Sequence, residues 1–275
     1  MENLVKGFKE HRTFRFTSLL VILLIALVVL APVIAPYNPL EAVMKDANQA
    51  PSMAHLFGTD KLGRDVLSRI LYGGAYSLSS VLALVAIIFC VGTFLGLVAG
   101  YFGGLIDTVI MRIADMMISF PGVILAIAIA GIMGGSLVNA MIALTAVTWT
   151  KYARLSRSMV LKIRKRDFVD AAIVSGGTSS HILWTHIMPN VVPILVITAV
   201  SDIGAMMMEL AGLSFLGFGS QPPAPEWGLM LNEGRQQLQT APWLMVFPGL
   251  AIFISVVIFN LWGDALRDVL DPRDQ

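Results

Sequence analysis

Apolar runs of about 20 residues recur along this chain, and that length crosses a hydrocarbon core of about 30 Å in helical form. In lipid every backbone N–H and C=O must be satisfied inside the protein. Runs of this kind therefore fold as helices rather than as open sheet. Composition points the same way: 56% of the residues are apolar and 13% charged, too few charges to cover the surface of a water-soluble domain of this size. The expected fold is all-α, a polytopic membrane protein with six transmembrane helices. The formal net charge of +1 gives no reason to invoke nucleic acid. Cys90 is the only cysteine, which excludes an intrachain disulfide and a multi-thiolate metal site. The first apolar run lacks a small-residue cleavage site, so a removable signal peptide is not expected.

Charge placement sets the expected topology. Lys6, Lys9, Arg12 and Arg15 outnumber Glu2 and Glu10 before the first span, which puts the N-terminus in the cytoplasm. Spans are expected near 17–36, 76–101, 113–133, 137–152, 190–212 and 243–263, with both termini inside. Pro32 and Pro36 close the first span, and Pro121 should kink the third. Between spans one and two, Gly58, Thr59 and Asp60 read as a turn and helix cap. Val66, Leu67, Ile70 and Leu71 then make the apolar face of a surface helix. Gly92, Gly96 and Gly100 recur every four residues, which suits close approach of a neighbouring helix. The densest basic cluster, Lys151, Arg154, Arg157, Lys162, Arg164, Lys165 and Arg166, follows span four. Topology and anionic lipid headgroups account for it better than nucleic acid does. The Gly-, Pro- and aromatic-rich segment 213–242 is too polar to span and too apolar to float free, so it is expected to re-enter or line an outer vestibule. The chain divides into 1–75 (tail, first span, outer loop), 76–265 (a five-span core with a cytoplasmic loop at about 151–190) and a cytoplasmic tail, 266–275.

The polar stretch DAAIVSGGTSSHILWTHIMPN, residues 170–190, interrupts the apolar runs. Residues 167–175 read as one short helix, with Ala171 and Ala172 permitting close packing. Gly176 and Gly177 break it. Thr178 or Ser179 caps a second short helix that ends before Pro189. The spacing of Asp170, Ala171, Ala172, Gly176 and Pro189 resembles the cytoplasmic "EAA" loop of bacterial ABC-importer permeases. Asp170 stands where that family usually has Glu, and Met188 where it usually has Leu. FGTDKLGRDVLSRILYGGAYSL (57–78), YFGGLIDTVIMRIADMMISFPGVILA (101–126) and FNLWGDALRDVLDPR (259–273) extend the resemblance over nearly the whole chain. They are similar to the second permease subunit of dipeptide, oligopeptide and nickel importers.

The resemblance implies a type I importer permease in the bacterial inner membrane. Its partners would be a homologous permease, two ABC ATPase subunits and an external substrate-binding protein. The loop at Asp170, Ala171, Ala172, Gly176, Gly177 and Pro189 would dock on an ATPase. This chain would bind no cofactor and catalyse nothing itself; ATP and Mg would sit on the partner subunits. No Walker A pattern occurs in the sequence. His181 and His186, five residues apart, fall on different faces of an α-helix and make a poor metal pair. His55 stands alone in the outer loop.

Asp202 and Glu209 lie seven residues apart in span five and share a helix face. Ionisable groups at that depth face a bundle interior or a water-filled path. Two roles stay open for Asp202: a cation-attracting position on the translocation route, or a structural contact to a second subunit. Met206, beside them, is a candidate soft contact on the route, although methionine in a span more often packs. The string SDIGAMMMELAG (201–212) resembles the nickel branch more than the peptide branch, so the expected cargo is nickel or a metal chelate, with di- or oligopeptides as the alternative. A solitary channel or secondary transporter is the competing class. It would need no docking loop and often carries inverted repeats, of which the sequence shows none that convinces.

Overall fold

The computed structural model describes residues 11–270. Lys6, Lys9, Glu2 and Glu10, and the tail beyond 270, lie outside the described residues. Regular structure among those described is helical; the single β pairing among them is an isolated bridge between Thr59 and Asp65. The principal helices are α1 (Arg12–Val29), α2 (Val66–Phe102), α3 (Gly104–Ile118), α4 (Gly122–Met133), α5 (Leu137–Ile163), α6 (Asp167–Val174), α7 (Met188–Phe215), α8 (Trp227–Gly234) and α9 (Trp243–Leu270).

Four of these are long and apolar enough to cross a membrane: α1, α2, α9, and α7 together with the turn that leads into it. The pair α3–α4 makes a fifth if it is one broken span, bent by 93° at Pro121. The expected kink is thus a break. Proline removes the N–H that would carry the helix onward and clashes with the preceding turn. The expected fourth span does not meet the same measure. Lys151 and Arg154 enter α5 after its first fourteen residues and dilute the apolar window. The spanning helices leave much of their apolar surface uncovered by protein, as at Leu19, Ile22 and Leu23 on α1. Apolar surface of that extent belongs in lipid.

Several boundaries differ from expectation for physical reasons. α2 is one helix of 37 residues, about 55 Å at 1.5 Å per residue, and not a surface helix followed by a separate span. Gly73 and Gly74 lie within this helix where other segments approach closely: a Cβ on Gly73 would lie 2.1 Å from the Pro225 carbonyl oxygen. The helix cap is Asp65 rather than the 58–60 turn; its Oδ2 accepts from the Ser68 N–H at 2.8 Å and the Ser68 hydroxyl at 2.7 Å. The turn expected over 102–112 contracts to the link between α2 and α3, where Gly103 takes φ +66°.

The chain forms two compact units, 11–83 with 130–142 and 200–270, and 84–129 with 143–199. In the first, α1 packs on α9 around Phe14, Ala265, Leu266 and Val269, and Trp262 Nε1 donates to Ser18 Oγ at 3.1 Å. In the second, the glycine stripe of α2 lies on α5. A Cβ at Gly92 would meet the Trp149 carbonyl oxygen at 2.5 Å, and one at Gly96 the Ala153 carbonyl oxygen at 2.3 Å. These glycines serve helix packing, the reading the sequence favoured. Arg154 pairs with Asp115 and Arg157 with Asp107, while Arg164 Nη1 donates to the Tyr101 carbonyl at 2.8 Å. Part of the basic cluster therefore ties α5 to α3 and to the end of α2.

Candidate functional site

The hairpin at 167–187 is built by local chemistry. Asp167 and Asp170 sit in the first turn of α6, where acids suit the helix dipole. At the far end, the Gly176 N–H donates to the Ile173 carbonyl and the Gly177 N–H to the Ala172 carbonyl, both at 3.0 Å. That pair of bonds is a Schellman termination, which requires a left-handed residue. Gly176 supplies it at φ +82°. Gly177 is needed for space, since its Cβ would meet the Ala172 oxygen at 2.8 Å and Ile182 Cγ1 at 3.2 Å. Thr178 then caps the next turn, its Oγ1 accepting the His181 N–H at 3.3 Å. The expected break and cap are both present.

The second arm differs from expectation. Residues Ser179–His181 make one α-turn, Ile182–Ile187 a π-helix, and α7 follows directly from Met188. The chain stays helical through Pro189. The Met188 N–H bonds to the Leu183 carbonyl, five residues back, and the wider π turn precedes the proline that would otherwise disrupt tight i→i−4 bonding. α6 packs against the π segment. Val169 on α6 and Ile182, Leu183 and Ile187 on the π segment are buried, while Asp170 and Ala171 are exposed and Ala172 is half-buried. The hairpin also presents large apolar side chains outward: Phe168 is 44% exposed, Ile173 50%, Val174 87% and Trp184 47%.

α7 carries the expected acids. Asp202 and Glu209 are both half-buried and neither lacks a partner. Met206, one turn on from Asp202, is buried at 5% exposure. The Asp202 turn lies close to α9: a Cβ at Gly204 would stand 2.3 Å from Asn260 Oδ1, and one at Gly263 2.9 Å from Ser201 Cα.

A third cluster was not singled out from the sequence. Asp60 Oδ1 accepts from the Leu62 and Arg64 N–H groups, and its Oδ2 from Arg64 Nε at 2.6 Å. Arg64 Nη2 and Arg69 Nη2 both reach Glu233 Oε2 on α8, at 3.1 and 2.7 Å. Arg69 Nη1 stands 3.4 Å from Asp60 Oδ2 as a charge contact only. Nearby, Glu226 caps α8, accepting from the Gly228 and Leu229 N–H groups at 2.8 and 2.9 Å. Trp227 Nε1 donates to the Ile70 carbonyl at 2.9 Å. Burial pushes the Glu226 carboxyl above its ordinary range; the two backbone N–H groups and the hydroxyls of Ser214 and Ser77 pull it partly back. The sequence signal for this cap was an acid directly before an apolar helical run. The partners of Glu233 lie 164 and 169 residues away, beyond any local pattern. His55 is not alone either: its Nδ1 is 2.9 Å from Asp65 Oδ1, and its ring packs on Tyr37 with centres 4.8 Å apart.

Broken and long apolar helices, a hairpin closed by glycines, and acids within a spanning helix are features of a multi-pass membrane protein. Comparison with known proteins identifies which kind. Residues 92–273 match the family model described as binding-protein-dependent transport system inner membrane component, and residues 3–51 match the N-terminal TM domain of oligopeptide transport permease C. The chain belongs to the binding-protein-dependent transport system inner membrane component family, as a multi-pass permease subunit of an ABC importer. It is 41% identical to the dipeptide transport system permease protein DppC of Alkalihalophilus pseudofirmus over 268 residues, 98% of this chain and 88% of that one. It is 43% identical to the glutathione transport system permease protein GsiD of Pectobacterium atrosepticum (93% and 85% covered) and to the nickel transport system permease protein NikC of Escherichia coli (93% and 93%). The MetNI methionine ABC transporter, in inward-facing form, shares the fold at a TM-score of 0.52 and 19% identity, over 72% of this chain and 96% of that one. Relatives named for peptide, glutathione and nickel stand level, so nickel is not singled out.

Proposed function

We propose that this chain forms half of a translocation pathway and that the hairpin at Asp170, Ala171, Ala172, Gly176, Gly177 and Pro189 is its lever on an ATPase subunit. The observation that carries this reading is the outward apolar surface of a rigidly closed hairpin. Trp184, Phe168, Ile173 and Val174 are large, exposed, and set beside Asp167 and Asp170. An aromatic and aliphatic centre with a charged rim is how a protein interface is built. The complex would contain a second, homologous permease, two ATPases holding ATP and Mg, and an external binding protein. This chain would supply no ATP site of its own.

The cargo proposed is a small solute with a cationic group: nickel or a metal chelate, or the amino terminus of a di- or oligopeptide. Asp202 and Glu209 on one face of α7 support a route that attracts positive charge. Met206 is buried against its own chain, which favours packing over metal contact there. Relatives named for dipeptide and glutathione support the peptide reading, and the relative named for nickel supports the metal reading equally. Uptake of labelled nickel and of a labelled dipeptide, measured side by side in cells lacking only this chain, tests both. Loss of one alone assigns the cargo; loss of neither refutes both cargoes and leaves the family assignment standing.

A further inference from the structure

His181 and His186 flank the π segment of the hairpin. Five residues apart, they would be separated by about 140° around an α-helix. The wider turns bring them together instead, with ring centres 5.7 Å apart and ring planes at 85°. Two imidazoles sharing one ion have centres roughly 5 Å apart, given metal–nitrogen bonds of about 2.0–2.1 Å and tetrahedral angles. The observed separation exceeds that span by less than 1 Å, and rotation of the two side chains is what would turn a nitrogen of each ring toward a shared ion. The Thr185 hydroxyl lies 3.3 Å from His181 Nδ1. A hydroxyl there orients the ring and leaves Nε2 as the ligating nitrogen, the usual division of labour at a metal-bound histidine. His181 is exposed and His186 half-buried, so an ion can enter from solvent.

We propose that His181 and His186 form a two-point site for a borderline divalent transition-metal ion, namely Cu²⁺, Ni²⁺ or Zn²⁺. Imidazole suits these ions and affinity peaks at Cu²⁺; Mg²⁺ and Ca²⁺, which take oxygen ligands, are excluded. Among the described residues no group of three or more His, Cys, Asp or Glu comes together. Water completes the coordination, and the site is exchangeable rather than structural. Bound metal would staple one π turn in its present conformation, beside Trp184. Metal binding here is read without ATP or cargo, so its failure and that of the importer reading are separable.

The test is Cu²⁺ titration of the full-length, untagged permease in detergent at neutral pH, followed by electron paramagnetic resonance. Two coupled nitrogens are expected in the wild type. His181→Gln and His186→Gln should each show one nitrogen and at least tenfold weaker binding. His55→Gln should match the wild type, and excess Mg²⁺ should not compete. A second measurement needs no variant: Zn²⁺ should protect both histidines together from acylation by diethyl pyrocarbonate. Unchanged Cu²⁺ affinity in the double variant, a single coupled nitrogen in the wild type, or Zn²⁺ protection of neither histidine overturns the site.

Discussion

Replacing Gly176 and Gly177 together by proline attacks the hairpin at its closure. The native turn holds Gly176 at φ +82°, and proline fixes φ near −65°. Both Schellman bonds, to Ile173 and Ala172, lose their donors at about 1 kcal/mol each. Loss of the single left-handed residue, Gly176, adds about 1–2 kcal/mol of mismatch. The sum, about 3–4 kcal/mol, exceeds what an exposed two-armed hairpin can absorb locally, so the arms separate while the apolar helices still insert. Gly176→Ala isolates the dihedral cost, about 1–2 kcal/mol, which corresponds to roughly 5- to 30-fold more frequent opening at 1.4 kcal/mol per tenfold. Hydrogen exchange at the Gly177 amide should rise by that factor in Gly176→Ala. In the double proline variant, uptake and co-purification of the ATPase subunits should be lost at unchanged membrane levels. Wild-type uptake in that variant, or exchange rising equally throughout α9, would refute the local-closure argument.

Asp202→Asn should lower uptake several-fold while assembly persists, if the carboxylate faces the route; a complex missing from the membrane would assign it to structure instead. Glu233→Ala leaves two nearly buried guanidinium groups short of a partner. Breaking such a pair costs about 3–5 kcal/mol, here near the low end because Asp60 remains beside both arginines, and should lower the melting midpoint by roughly 6–12 °C. Glu226 holds its proton more tightly folded than unfolded. Its contribution to stability is therefore present below the ordinary carboxylate range and is lost as pH rises from that range through the raised value. Glu226→Gln should flatten the fall of the melting midpoint as pH rises above the ordinary carboxylate range; an unchanged slope would place the titration elsewhere.

The sequence by itself determined what depends on neighbours along the chain. Apolar run length marked the membrane helices, because bilayer thickness is a fixed ruler. Pro121 marked a break, and Gly176, Gly177 and Thr178 marked a turn and cap, because these are properties of single residues and short spacings. The family strings were legible for the same reason. Tertiary structure decided what depends on distance. Gly73 lies where Pro225 and Trp227 leave no room for a side chain, a contact no local pattern shows. Arg64 and Arg69 acquired Glu233 from far along the chain, and His55 acquired Asp65. The π segment turned His181 and His186 from divergent into adjacent. An α-helical period misplaces such a pair, since i→i−5 bonding changes the angle between successive residues around the helix axis.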